Sequence, residues 1–433
     1  MSHLNSLRIA LCGSLSLAIP LVAWATAETD SPNTPQQSST TSSVVVAEER
    51  PITVAYLMPS DNSPVLAANK IVLNGLTSAN MFKPNIRLLM VETSLDNNLE
   101  NQLKAAVLAG ADVAIGPLSR DRVDELLKMP ELPLPVVALN TPTTLQGEAD
   151  TQLLMMSLSN ELEASYIANE AADTIESLKN PMARVVIIRD ATKNDYRVTA
   201  GYEAALQARH IPYQILPIDL TTINAQRKLF SEEMNADLKA QYAHEIAELS
   251  RLPKTDENLQ RLKELKDAQR IAEVQGTPEF PVALLSMGAT EAGLVVGRLP
   301  RKTQIMGVSL LNPGDPETNP TASSLVYDLN NAVFVDAPLL IKYDAQGFEA
   351  KFQTPMPYSL PAKRLFALGL DALSIAEQWA HQVPNIKLAG EAGQWSGDVA
   401  SSAILTRKPA TVLIQDGALQ LLTIEPAPAK ATQ

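Results

Sequence analysis

Residues 52–91, ITVAYLMPSDNSPVLAANKIVLNGLTSANMFKPNIRLLMV, decide the fold. Ile52–Met58 and Ile86–Val91 are short apolar runs, and Leu66–Ala79 between them carries apolar residues at helical spacing. Strands covered on both faces read as continuous apolar runs, and a helix joining two of them is the unit of a parallel sheet. The rhythm continues through a helix over Leu99–Leu108, a strand at Val113–Ile115, a helix around Arg120–Leu127 and a strand at Val136–Leu139. Four strands in one lobe are therefore predicted.

A second series follows a connecting run, Leu153–Leu158. The helix Glu161–Leu178 leads to a strand at Arg184–Ile188, the helix around Tyr202–Ala208 to Tyr213–Ile215, and Val282–Met287 to the helix Glu291–Arg298 and the strand Gln304–Val308. The expected class is α/β with two Rossmann-like lobes; about 400 residues after a leader exceed what one core usually sustains. The expected order is residues 51–155 in lobe one, 156–324 in lobe two, 325–390 back in lobe one, 391–425 in lobe two, and 426–433 as a tail. Within lobe two, Leu229, Met234, Leu238, Tyr242, Ile246 and Leu249 sit at helical spacing before Pro253, and Thr255-Asp256 can cap a second helix carrying Leu259, Leu262, Leu265 and Ile271. A charged helical hairpin inserted over residues 222–277 is expected.

The N-terminus reads differently. Arg8, an apolar run from Ile9 and Ala25-Thr26-Ala27 before Glu28 have the order of a secretory signal peptide over residues 1–27. Residues 28–50 are Ser, Thr, Pro and Gln-rich, as in a disordered leader. Cys12, the only cysteine, follows Leu11 with Arg8 four residues upstream, a poor setting for lipoprotein processing. The expectation is a soluble exported protein that begins near Glu28, without acyl anchor or thiol. No later stretch reaches the roughly 20 apolar residues of a transmembrane segment. Loss of Arg8 makes the formal net charge of −13 one unit more negative, which argues against a nucleic-acid binder.

No catalytic residue, metal site or cofactor is expected. His210, His244 and His381 lack metal-ligand spacing, and there is neither a Gly-x-Ser-x-Gly elbow nor a P-loop. Gly288, Gly293 and Gly297 match no phosphate-binding pattern and read as helix packing. The loops at strand carboxyl ends are where open α/β sheets bind ligands. Ser60, Asp61, Asn62, Ser119, Asn140, Thr141, Asp190, Tyr196 and Asn312 lie there as candidate contacts to a small polar ligand. Turn chemistry favours the same residue types, and Arg120 could clamp a carboxylate.

Pro59-Ser60-Asp61, Gly116-Pro117-Leu118-Ser119 and Asn140-Thr141-Pro142 are similar to the strand-end loops of type I periplasmic binding proteins. Residues 328–340, DLNNAVFVDAPLL, and 364–372, RLFALGLDA, resemble the LppC-type penicillin-binding protein activators, whose C-terminal part has that fold. The resemblance implies a periplasmic, non-enzymatic regulator that binds and stimulates a bifunctional penicillin-binding protein in peptidoglycan synthesis. The best-known members are outer-membrane lipoproteins with an N-terminal helical-repeat domain; here neither a credible lipid site nor room for those repeats is expected. The rival expectation is the solute-binding receptor of an ABC-type uptake system for a small polar ligand such as an amino acid. A receptor must close on its ligand, whereas an activator can leave the cleft empty. Phe334, Leu339, Leu365, Phe366, Leu368 and Leu373 are expected to serve as core and interlobe packing, and Gly369 as a close helix approach.

Overall fold

The structure is a computed structural model that describes residues 50–60, 63–92, 98–143, 151–180, 183–193, 196–222, 233–275, 280–300, 302–315 and 319–422. The signal peptide, most of the leader, Cys12, Asp61, Asn62 and the tail expected from the sequence lie outside the described residues.

Lobe one is built on a parallel sheet of β1 (Ile52–Met58), β2 (Ile86–Glu92), β3 (Val113–Ile115), β4 (Val136–Ala138) and β5 (Leu153–Met155), in the order β2-β1-β3-β4-β5. Helices α1 (Leu66–Asn80), α2 (Leu99–Leu108) and α3 (Arg120–Leu126) connect its strands. The alternation of side chains along β1 explains why its sequence is apolar throughout. Val54, Tyr56 and Met58 enter one core and Ala55 and Leu57 the other. The run Leu153–Leu158 was expected to be a connection, but its first three residues form the fifth strand, paired to β4.

Lobe two begins with α4 (Asn160–Ser177), capped by the Ser159 hydroxyl, which accepts from the amides of Glu161 and Leu162. It continues through β6 (Val185–Asp190), α5 (Arg197–Ala208) and β7 (Tyr213–Ile218) to two helices, α6 (Glu233–Arg251) and α7 (Asp256–Gln275), that precede β8 (Val282–Ser286). Tyr242 and Leu265 pack together with Ile246 and Leu249 between α6 and α7. The Arg184 guanidinium at the foot of β6 donates to the Tyr242 hydroxyl and lies 4.8 Å from the ring centre. Next come α8 (Ala289–Val296), β9 (Gln304–Gly307), α9 (Ala322–Asp328) and β10 (Val333–Asp336). Val185 and Ile187 of β6 face α4 and α5, while Val186 and Ile188 face the α8 and α9 side.

The C-terminal third corrects the expected boundaries. Strand β10 pairs parallel with β9, so residues 333–336 belong to lobe two and not to the expected return to lobe one. The return begins with α10 (Leu339–Lys342), α11 (Ala345–Phe352) and α12 (Leu360–Ala380), whose Leu339, Phe348 and Phe366 enter the lobe-one core. A separate antiparallel sheet of β11 (Asn385–Ala389), β12 (Gln394–Asp398) and β13 (Thr406–Lys408) follows, and its Ile386 and Trp395 join the same core. Only with β14 (Ala410–Gln415) and β15 (Ala418–Leu421) does the chain rejoin the second sheet, antiparallel to β10. That sheet has the order β15-β14-β10-β9-β8-β6-β7.

Lobe one closes where α1 crosses α12 at Gly75 and Gly369. A Cβ on Gly75 would lie 3.1 Å from the Gly369 Cα and inside contact distance of the Phe366 carbonyl oxygen; a Cβ on Gly369 would meet the Val72 carbonyl oxygen. Both obstacles are backbone, which cannot rotate away. Gly369→Ala is expected to lower stability by about 2 kcal/mol or more through forced separation of the helices, read from the shift in a denaturant midpoint. Gly297→Ala, where nothing lies within 4 Å of the added atom and φ is −62°, should leave the midpoint within about 0.5 kcal/mol.

Candidate functional site

In lobe one, β1 has β2 on one side and β3 on the other, so the loops leaving β1 and β3 splay apart at their carboxyl ends. A cavity of about 430 Å³ opens there, lined by Ser60, Ser63, Asn69, Pro117, Ser119 and Arg122 among others. Its polar floor is already engaged. The Tyr56 hydroxyl donates to Asn69 Oδ1 at 2.8 Å, Asn69 Nδ2 to the Val65 carbonyl at 2.9 Å, and Gln102 Nε2 to the carbonyls of Met58 and Val91 at 2.8 and 2.7 Å. Burial pushes the Tyr56 hydroxyl pKa far up, so it stays a neutral donor.

The candidate contacts separate into those that face open space and those used by the fold. Ser60 and Ser119 line the lobe-one cavity. Asn140 donates to the Leu118 carbonyl at 3.1 Å, while its oxygen accepts from the Thr141 amide and the Ser157 hydroxyl, which ties the loops after β3 and β4 together. Thr141 is half-buried beside it. In lobe two, Asp190 accepts from the amide and hydroxyl of Thr192 at 2.9 and 2.7 Å, an Asx-turn. Tyr196 is exposed with the Arg189 guanidinium 4.6 Å from its ring centre. Asn312 borders a different cavity, of about 340 Å³, with Gly288, Glu291 and Tyr358, yet its amide donates to Asp336 and its oxygen accepts from the Gly314 amide. Arg120 does hold a carboxylate, and it is the protein's own: Glu161 Oε1 lies 3.4 Å from Arg120 and 3.6 Å from Arg197. Burial pushes the Glu161 carboxyl up, but the Ser159 hydroxyl, a backbone amide and the two arginines hold it below the usual range.

Sequence reasoning missed the charged residues buried between the lobes. Arg364 on α12 makes a bidentate pair with Asp336 at the end of β10, 2.7 Å at both contacts, and also donates to the Ser309 carbonyl at 3.0 Å. Glu163 on α4 accepts from the Ser309 amide at 3.0 Å with one oxygen and from Arg407 of β13 at 3.0 Å with the other. The Arg407 Nε donates to the Ala392 carbonyl at 2.9 Å. Burial pulls the Arg364 pKa down, but Asp336, by charge and hydrogen bonding, and Glu163, by charge, leave it raised. A third buried anion, Asp371 on α12, accepts from the amides of Glu391 and Ala392 and from Trp395 Nε1 at 2.7–2.8 Å. Asp336, Arg364 and Asp371 all stand in the two segments that carry the family resemblance, where only the apolar residues and Gly369 have an expected role. Among the described residues, no group of three or more His, Cys, Asp or Glu could hold a metal ion, and no helix is long and apolar enough to cross a membrane.

Two lobes, one on a parallel sheet and one on a sheet parallel except for β14 and β15, joined by three chain crossings and with a cavity at a strand switch point, define the type I periplasmic-binding-protein architecture. Residues 24–404 match the model of the family described as LppC putative lipoprotein, and the chain belongs to that family. No curated protein sequence matches it. Among solved structures it is similar to the C-domain of Haemophilus influenzae LpoA, a regulator of PBP1A, with 19% identity, a TM-score of 0.60, and coverage of 86% of this chain and 100% of that one. Against full-length LpoA from the same organism the values are 20% and 0.59, and the match spans 59% of the longer protein. A Chromobacterium violaceum protein described as a putative branched-chain amino acid ABC transporter is comparably similar, with 20% identity, a TM-score of 0.57, and 84% and 99% coverage. The lipoprotein description of the family gives no support to the expectation that the chain goes unacylated.

Burial pushes the Asp371 carboxyl up to about 6 despite its three N–H donors. The folded state thus holds this proton more tightly than the unfolded chain, and raising the pH from about 4 to about 6 removes stability, on the order of 3 kcal/mol, that is fully present only below about pH 4. Urea unfolding at a series of pH values should show this decline in the native protein. The Asp371→Asn variant, which has no proton to lose there, should lack that component of the slope.

Proposed function

We propose that this protein is a non-enzymatic regulator of the bacterial envelope that binds a bifunctional penicillin-binding protein in the periplasm and stimulates its peptidoglycan synthesis. Membership of the LppC family supports a regulatory role, and the likeness to the LpoA C-domain supports the partner class. The observation that carries the reading against a solute receptor is the internal engagement of the cleft. Asn140, Asp190, Asn312 and Arg120 spend their hydrogen bonds and charge on neighbouring groups of the same chain, so a ligand would have to break those contacts before making its own.

The lobe-one cavity with Ser60 and Ser119 favours the receptor reading, because it has the volume and position for a small polar ligand. Thermal-shift measurements against amino acids, sugars and peptidoglycan fragments address it, since a ligand that binds only the native state raises the melting point. For the regulator, the measurement is turnover of lipid-linked precursor by a purified bifunctional synthase, with and without the protein, beside direct binding. A higher synthetic rate and a saturable complex are expected. Rising salt should weaken the encounter if the synthase presents a basic face to this acidic chain. No complex and no rate change with any synthase of the source cell, together with a ligand that raises the melting point, would replace the regulator by a receptor.

A further inference from the structure

The chain passes between the lobes three times: from β5 to α4, from β10 to α10, and from β13 to β14. In a hinge-closing protein such crossings are the segments that absorb backbone rotation. Here each carries a buried charge. Glu163 stands in the first turn of α4 just after the first crossing, Asp336 ends β10 at the second, and Arg407 lies in β13 just before the third. Their side chains are 2%, 0% and 3% exposed. Each pair joins the lobes: Arg407 reaches from the sheet packed on lobe one to α4, and Arg364 reaches from α12 to β10.

Ser309, two residues after the end of β9, links the two pairs, with its amide held by Glu163 and its carbonyl by Arg364. The first crossing is fixed on its other side as well. Met155 donates to the Ala403 carbonyl at 2.7 Å and accepts from the Leu405 amide at 2.9 Å, so the segments before the first and third crossings move together. A third pair, half-buried, Arg120 with Glu161, spans from α3 to α4. Rotation of one lobe on the other would separate Asp336 from Arg364 and Glu163 from Arg407, of which only Arg364, at 14%, has more than 3% of its side chain exposed.

We propose that these buried charge pairs lock the interlobe hinge, so that both lobes form one rigid body whose cleft neither opens nor closes. The proposal is independent of the partner assigned above. A locked hinge removes the step by which a receptor couples ligand to conformation, and it fixes the relative position of surfaces on the two lobes.

Pulsed electron–electron resonance on the full chain tests this, with spin labels on cysteines placed by Leu108→Cys in lobe one and Leu178→Cys in lobe two and with Cys12→Ser; both leucines are exposed. The expected result is one narrow distance distribution, unchanged by a mixture of the common amino acids. Hydrogen exchange provides the second reading: the Ser309 amide should exchange no faster than the slowest core amides. Arg364→Gln and Glu163→Gln, checked for cooperative unfolding, should broaden the distribution and release the Ser309 amide. A broad or two-peaked distribution in the unsubstituted chain, a shift on adding amino acids, or fast Ser309 exchange overturns the proposal. So does a folded variant that keeps the narrow distribution. If neither variant folds, the measurements on the unsubstituted pairs still decide.

Discussion

The bidentate pair of Arg364 with Asp336 is the contact on which the relation between the lobes depends. Removing two charges from water costs several kcal/mol per ion, and mutual attraction offsets that only when geometry is good and remaining lone pairs are filled. Both conditions hold. Asp336 also accepts from Asn312 and from the Ala337 amide, and Arg364 Nη2 donates as well to the Ser309 carbonyl. Such a pair contributes little net stability compared with apolar residues of the same volume, but deleting one partner strands the other at a cost of about 3–5 kcal/mol. What it supplies is uniqueness: one register between β10 and α12 satisfies the network, and others leave charges unpaired.

Much of the fold was legible because the parallel sheets impose continuous apolar runs, as in β1, β6 and β8, separated by helices of ordinary period. The misreadings fall where that signal is absent. Strand β5 is three residues long and is recognisable only through its pairing with β4, a contact between residues far apart in sequence. Strand β10, FVD after Val333, has the same apolar look in either lobe, so periodicity could not assign its sheet. The sheet β11–β13 alternates exposed and buried residues, as a strand with one wet face does, and its strands β12 and β13 fall in the segment expected to return to lobe two.

The site was less legible for a different reason. Asn140, Asp190 and Asn312 are the residue types that either grasp a polar ligand or satisfy a loop, and their sequence context is the same in both cases. The structure shows the loop role at all three. Ser60 and Ser119 line the lobe-one cavity, whose position at a strand switch point is defined by topology rather than by side-chain chemistry. The buried ions carried no local signal. Glu163 lies in a helix with many acids, and Arg407 in a three-residue strand; only their separation of 244 positions, closed by the fold, makes them a pair.

Helix α12 gathers these constraints into one element. At about 100° per residue, the seven positions from Arg364 to Asp371 bring both side chains to nearly the same face, while Gly369 lies about 140° around from Arg364. One face thus sends Arg364 to β10 of lobe two at its start and Asp371 to the β11–β12 turn two helical turns later, where Gly390 has no Cβ to obstruct the carboxylate. The other face lets α1 approach at Gly75. The spacing within residues 364–372 is therefore a structural specification: a cation toward lobe two, a small residue toward α1 and an anion toward the third sheet. A helix that meets all three demands has little freedom to slide or rotate. The Ala392 carbonyl that receives Arg407 belongs to the turn that Asp371 holds, so constraint passes from α12 through that turn to Glu163 on α4.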